Sequence, residues 1–128
     1  MPVSRAMSPN SMRAQNLVVD HTRYEFVRVL DYTRTPGGRY PADGPFPGSE
    51  FLEKFLVPAF ERARSRDTDL LVDLDGTAGY ASSFLEESFG GLARLYGRED
   101  VARRVHVKCD GQPYLAADVK QYIADAEG

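Results

Sequence analysis

The chain is poor in residues that build covalent or metal scaffolds. It has a single cysteine, Cys109, in 128 residues, so no internal disulfide can form. With only two histidines beside it, no familiar zinc spacing arises, and a structural metal is not expected. No stretch approaches the roughly 18 consecutive apolar residues that would span a bilayer. The opening residues, MPVSRAMSPNSMRAQN, also lack the continuous apolar segment of a signal peptide. These absences predict a cytoplasmic protein with no membrane partner. Charge of one sign is scarce too. The 16 basic and 19 acidic residues leave a formal charge of −3 with no long like-charge run, so a phosphate-neutralising surface for nucleic acid is not expected.

The composition is otherwise that of a folded globular protein, 42% hydrophobic and 27% charged. Its length fits one core. Residues 1–16, polar and with methionines at 1, 7 and 12, read as a flexible tail, and residues 17–128 as one domain. In NLVVDHTRYEFVRVL, β-favouring residues flank a polar DHTR, which predicts one or two strands and a hairpin. TRTPGGRYPADGPFPG is too rich in proline and glycine for helix or central strand and must be a long loop. EFLEKFLVPAFERARSR carries helical spacing, with Ser49 as N-cap, Glu50 in the first turn and a kink near Val57 caused by Pro58. DLLVDL reads as a strand covered on both faces near the sheet centre. Leu85, Phe89, Leu92 and Tyr96 share a helical face ahead of a stop at Gly97. Val105, Val107 and Cys109 alternate as a strand, and Ala116, Val119, Ile123 and Ala126 mark a closing helix. Strands alternating with helices predict an α/β fold, a mixed but mostly parallel sheet packed with about three helices.

Chemistry concentrates in GYASSFLEESFGG, after the central strand. Ser83 and Glu86 match the S-x-x-E capping box, in which each side chain satisfies an orphan backbone donor. Cap chemistry leaves Ser82 and the small residues before it without a role. A strand, a short turn and a helix start is where sites collect in α/β sheets, because backbone donors converge there. An enzyme would need more. Glu86 and Glu87, adjacent on a helix, point about 100° apart and cannot both face one site. His106 reads as an ordinary strand residue and Cys109 as a small buried hydrophobe, so no nucleophile, base and orienter can be assembled. The reading is non-catalytic, with no cofactor.

LLVDLDGTAGYASSFLEESFGGL, with PGSEFLEKFLVPAF upstream, resembles the STAS-like domain family of unknown function, relatives of the STAS domains of bacterial anti-sigma factor antagonists. The resemblance runs over about residues 24–126. In the antagonists the corresponding turn reads Asp-Ser-Ser/Thr-Gly, and its first serine is phosphorylated by a histidine-kinase-like ATPase. By position that serine is Ser82, while Ala81 and Phe84 stand where the antagonists have Asp and Gly. The resemblance implies a regulatory module in signalling whose partner is such an ATPase or an anti-sigma factor. Ser82 and Ser83 would form its polar contact, Glu86 and Glu87 its charged one. The alternative is a small-ligand or nucleotide sensor, with Gly76 and Gly79 in the turn and Arg34 and Arg39 of the Pro/Gly loop contacting phosphate. Its glycine spacing matches neither nucleotide fingerprint.

Overall fold

The computed structural model describes residues 24–127. The tail at 1–16 and the first arm of the expected hairpin lie outside these residues. Three strands, β1 (Tyr24–Arg28), β2 (Asp69–Asp73) and β3 (Val105–Lys108), pair in the order β1-β2-β3. Both pairings are parallel, with Val27 beside Val72 and Val72 beside Val107. β2 is central, as its apolar run predicts. Its two faces differ, however: Leu70 and Val72 are fully buried while Leu71 between them is only half-buried. One face of the sheet carries the core, the pattern of alternate residues pointing to opposite sides.

The connections are helical, as parallel strands require. β1 stops at Arg28 where a longer strand was expected, and the chain turns through α1 (Val29–Tyr32). This turn delivers Tyr32 beneath the Pro/Gly loop, where its hydroxyl donates to the Pro47 carbonyl at 3.0 Å. Residues 48–66 form α2. Its first turn, Gly48–Phe51, passes through a π turn, Leu52–Leu56, into Val57–Arg66. The expected kink takes this form. Val57 donates to Leu52, five residues back, immediately before Pro58, which has no N–H to donate. Ser49 does not cap α2. The Gly48 and Ser49 amides donate instead to the Gly38 and Arg39 carbonyls of the loop, both at 3.0 Å, so backbone meets the need that a serine hydroxyl would have met.

Residues 82–96 form α3, again α, π and α in turn: Ser82–Leu85, Glu86–Gly90 and Gly91–Tyr96. Gly97, at φ 100°, stops it as expected, and its N–H closes on the Ala93 carbonyl. α4 (Arg98–Arg104) and α5 (Leu115–Asp125) complete the fold. Three helices are long, matching the expected number, and two are short.

Phe51, Phe60, Phe84 and Phe89 are fully buried and, with Leu56 and Leu92, fill the space between α2, α3 and the sheet. Tyr32 joins Phe51, Phe55 and Phe84 at ring separations of 5.3–6.4 Å. Glycine sets how closely α2 approaches α3: a Cβ on Gly48 would lie 2.6 Å from the Phe84 carbonyl oxygen. One acid sits on the core face. Glu25 is 8% exposed, and its two oxygens accept from Arg62 Nε and Arg66 Nη1 of α2, each at 2.8 Å. This pairing offsets the cost of removing a carboxylate from water.

Candidate functional site

The carboxyl ends of the three strands converge where α3 begins. β2 runs into the segment 74–81, whose backbone is fixed from both sides. The Leu74 N–H donates to the Lys108 carbonyl at 2.8 Å, and the Ala78 N–H to the Arg34 carbonyl at 2.8 Å. Asp75 ties this segment to the chain after β3. It accepts from the amides of Asp110 and Gly111 at 3.1 and 3.0 Å and from Lys108 Nζ at 2.8 Å. Burial works against its charge, but Lys108 and the two amides prevail and hold its carboxyl below the usual range. Gly76 (φ 95°) and Gly79 (φ 147°) supply backbone angles that side chains disfavour, and Gly76 also lets Leu30 pack closely. Tyr80 donates to the Leu74 carbonyl at 2.7 Å, and burial first of all pushes its hydroxyl up to about 12. The chain therefore arrives at α3 in one defined conformation.

Ser82 is exposed and Ser83 half-buried in the first turn of α3, but the capping box does not form. Ala81 is the N-cap residue, so Ser83 lies two positions inside the helix, too far along to cap it. Glu86 does not reach back either. Its carboxylate is held between two arginines: Arg39 Nη1 donates to Oε1, and Arg94 Nη1 donates to Oε2 at 2.7 Å. Glu87 joins them, its Oε1 lying 3.3 Å from Arg39 Nη1 and 3.7 Å from Arg94 Nη2. Both glutamates thus meet the same two arginines. They sit in a π turn, and two long arginine side chains bridge the gap between their directions. Hydrogen bonding by Arg94, with that of Arg39, outweighs burial and lowers the Glu86 pKa; the Glu86 hydrogen bond raises that of Arg39.

The same cluster explains the glycines of the block. Glu86 and Arg94 are eight residues apart, and a Cβ on the intervening Gly90 would lie 2.8 Å from Glu86 Oε2. Bare backbone lets the carboxylate lie along the helix. On Gly91 a Cβ would meet Leu52 at 2.7 Å, so this glycine admits α2. Ser88 is fully buried and donates to the Phe84 carbonyl at 2.7 Å. The block SSFLEESFGGL is thereby accounted for in packing and charge from Phe84 onward. The Ser82 and Ser83 hydroxyls bond to no described residue.

Of the other candidates, Arg39 is occupied by Glu86 and Glu87, and Arg34 is exposed. His106 Nε2 lies 2.9 Å from Asp69 Oδ2 at the surface, and Cys109 is buried, its thiol pushed up mainly by that burial. His106 thus has a carboxylate beside it, while the Cys109 thiol contacts the Pro113 carbonyl oxygen at 3.7 Å. Arg94 and Lys108 were not singled out from sequence; only the intervening glycine hints that Arg94 can reach Glu86. Among the described residues, no three His, Cys, Asp or Glu side chains are placed to hold a metal ion, and no helix is long and apolar enough to cross a membrane.

The family model for the STAS-like domain of unknown function (DUF4325) matches residues 48–114, just over half of the chain. The chain belongs to this family. The match takes in α2, β2, α3, α4 and β3, and so includes Ser82 and the elements on either side of it. No curated protein and no solved structure matches it. The likeness to STAS domains in general therefore rests on this family match and on the α/β architecture of the chain.

Proposed function

We propose that this STAS-like domain is a non-catalytic regulatory module that binds a protein partner, a histidine-kinase-like ATPase or an anti-sigma factor, through the start of α3, with Ser82 as the phosphoacceptor. The observation that carries the reading is the state of Ser82. Its hydroxyl is exposed at the first position of a helix and bonded to no described residue, while Tyr80 before it and Glu86 after it are held by hydrogen bonds. Identity of the partner comes from resemblance alone.

Charge decides how such a site would act. A phosphate adds about −1.5 to −2 at neutral pH. Glu86 and Glu87, one turn away, would oppose it if bare, but Arg39 and Arg94 already balance them. The helix dipole then favours the phosphate by about 0.3–1 kcal/mol, so modification leaves α3 folded. Against a partner's docked surface the same charge costs on the order of 2–5 kcal/mol in desolvation and like-charge contact. Phosphorylation is in this reading a docking switch.

The sensor alternative has less support, because Arg39, its nearer cation, is already committed to two carboxylates. The test is to mix the purified chain with the histidine-kinase-like ATPases and anti-sigma factors of its native host, measuring binding by calorimetry and mapping phosphate by mass spectrometry after Mg-ATP addition. One partner is expected to bind wild type, with phosphate on Ser82, and to bind Ser82→Glu at least about tenfold more weakly. Equal binding of both forms, or binding to none, refutes the reading.

A further inference from the structure

Apart from the start of α3, the described residues form a groove at the edge of the sheet. It encloses about 490 Å³ and runs between β3 and α5. β3 is the last strand in the order β1-β2-β3, so among the described residues one of its edges has no strand beside it. Val105, His106 and Val107 all line the groove. Consecutive strand residues point to opposite faces, so three in a row can line one recess only if it follows the strand's edge. The opposite wall is Ala116, Val119, Lys120, Ile123 and Ala124 of α5. Their steps of 3, 1, 3 and 1 make a single helical stripe facing that edge. Two of these five are alanines, which leave the space a neighbouring chain would fill.

The charges of the groove say what fits it. No carboxylate lines it, and of its two basic residues His106 is already paired with Asp69, which leaves Lys120. Lys54 pairs with Glu50, and Lys108 with Asp75 and Asp110. Lys120 alone of the three lysines has no carboxylate partner among the described residues, and it stands exposed on the groove wall. We infer that this groove receives an extended segment of another protein, which adds a strand to β3, lays small apolar side chains against α5 and sets a carboxylate on Lys120. Backbone pairing at the edge gives the affinity and the alternate side chains give the selectivity. This site is separate from the start of α3 and does not depend on the function proposed there.

The test is selection of a displayed library of random peptides of about ten residues against the full chain, followed by amide chemical-shift mapping with the enriched peptides. Enriched peptides are expected to alternate apolar and polar residues and to contain an acid. They should shift the amides of Val105 to Lys108 and of α5, and lose about tenfold in affinity to Lys120→Glu, whose exposed position leaves folding intact. A Ser82→Glu variant should bind them as wild type does. The inference is overturned if no peptide is enriched, if the shifts fall elsewhere, if Lys120→Glu binds within about twofold of wild type, or if sedimentation shows a second copy of the chain already seated on β3.

Discussion

Gly48→Ala tests the tightest of the described glycine positions. The added Cβ would stand 2.6 Å from the Phe84 carbonyl oxygen, 3.2 Å from its carbon and 3.2 Å from Glu87 Cβ. The first two are backbone and cannot swing aside. The Phe84 carbonyl is also the acceptor of the buried Ser88 hydroxyl, so α3 must shift as a body to make room. Overpacking of this kind costs about 1–3 kcal/mol. The propensity gain of alanine over glycine, at most about 1 kcal/mol, is smaller at a first helical position. The net loss should be about 1–2 kcal/mol, or roughly 5–15 °C in Tm for a domain of this size. Urea titration followed by circular dichroism measures it. Gly90→Ala is the internal comparison: there the Cβ meets only the ends of the flexible Glu86 and Arg94 side chains, at 2.8 and 3.3 Å. The mid-helix propensity gain of about 1 kcal/mol then offsets a weakened ion pair, and stability should change by less than about 0.5 kcal/mol. Equal effects at the two glycines would refute the reasoning that rigid backbone contact, and not glycine content, sets the spacing of α2 and α3.

Other consequences are measurable in the same way. Ser83→Ala should leave stability within about 0.5 kcal/mol, where loss of a true cap would cost about 1; thermal melts decide. Arg39→Ala should cost about 1 kcal/mol at pH 7, because it breaks the loop's charged tie to α3. The Glu86 carboxyl is held low by Arg94 and Arg39, so its contribution is present above the unfolded carboxyl pKa and fades as pH falls through the lowered folded one. The gap between wild type and Arg39→Ala should therefore close below about pH 4 in denaturant titrations run across pH. Burial of the Cys109 thiol, with its raised pKa, predicts slow maleimide labelling in native buffer and fast labelling in urea.

What could be read from the sequence was whatever repeats locally. The apolar run of β2, the spacing of Leu85, Phe89, Leu92 and Tyr96, and the stop at Gly97 each report a constraint carried by near neighbours, and each found its place. The cap residues did not, because a capping box is specified by where the helix starts, and α3 starts at Ser82 with Ala81 ahead of it. At α2 the first-turn donors were met by carbonyls ten residues earlier, in a loop whose composition says only that it is irregular. Arg39 and Glu86 are 47 residues apart, so nothing in the local pattern joins them. Resemblance added the family frame and the position of Ser82, which periodicity does not supply.

The π turns at Leu52–Leu56 and Glu86–Gly90 touch one another, and each shifts the phase of its helix. In α3, Phe84 and Leu85 before the turn and Leu92 and Ala93 after it all reach the core. Five residues in a π turn sweep about the angle that four sweep in an α-helix, so deleting one residue between 86 and 90 would restore regular winding and leave Gly91–Tyr96 close to its present phase. Winding all five residues as regular α-helix would instead carry Leu92 and Ala93 about 90° toward solvent, and Gly91 would no longer face Leu52. The π turn is consequently a device for carrying one extra residue: it takes up the added length within a single turn, and the side chains that follow keep their places against the core.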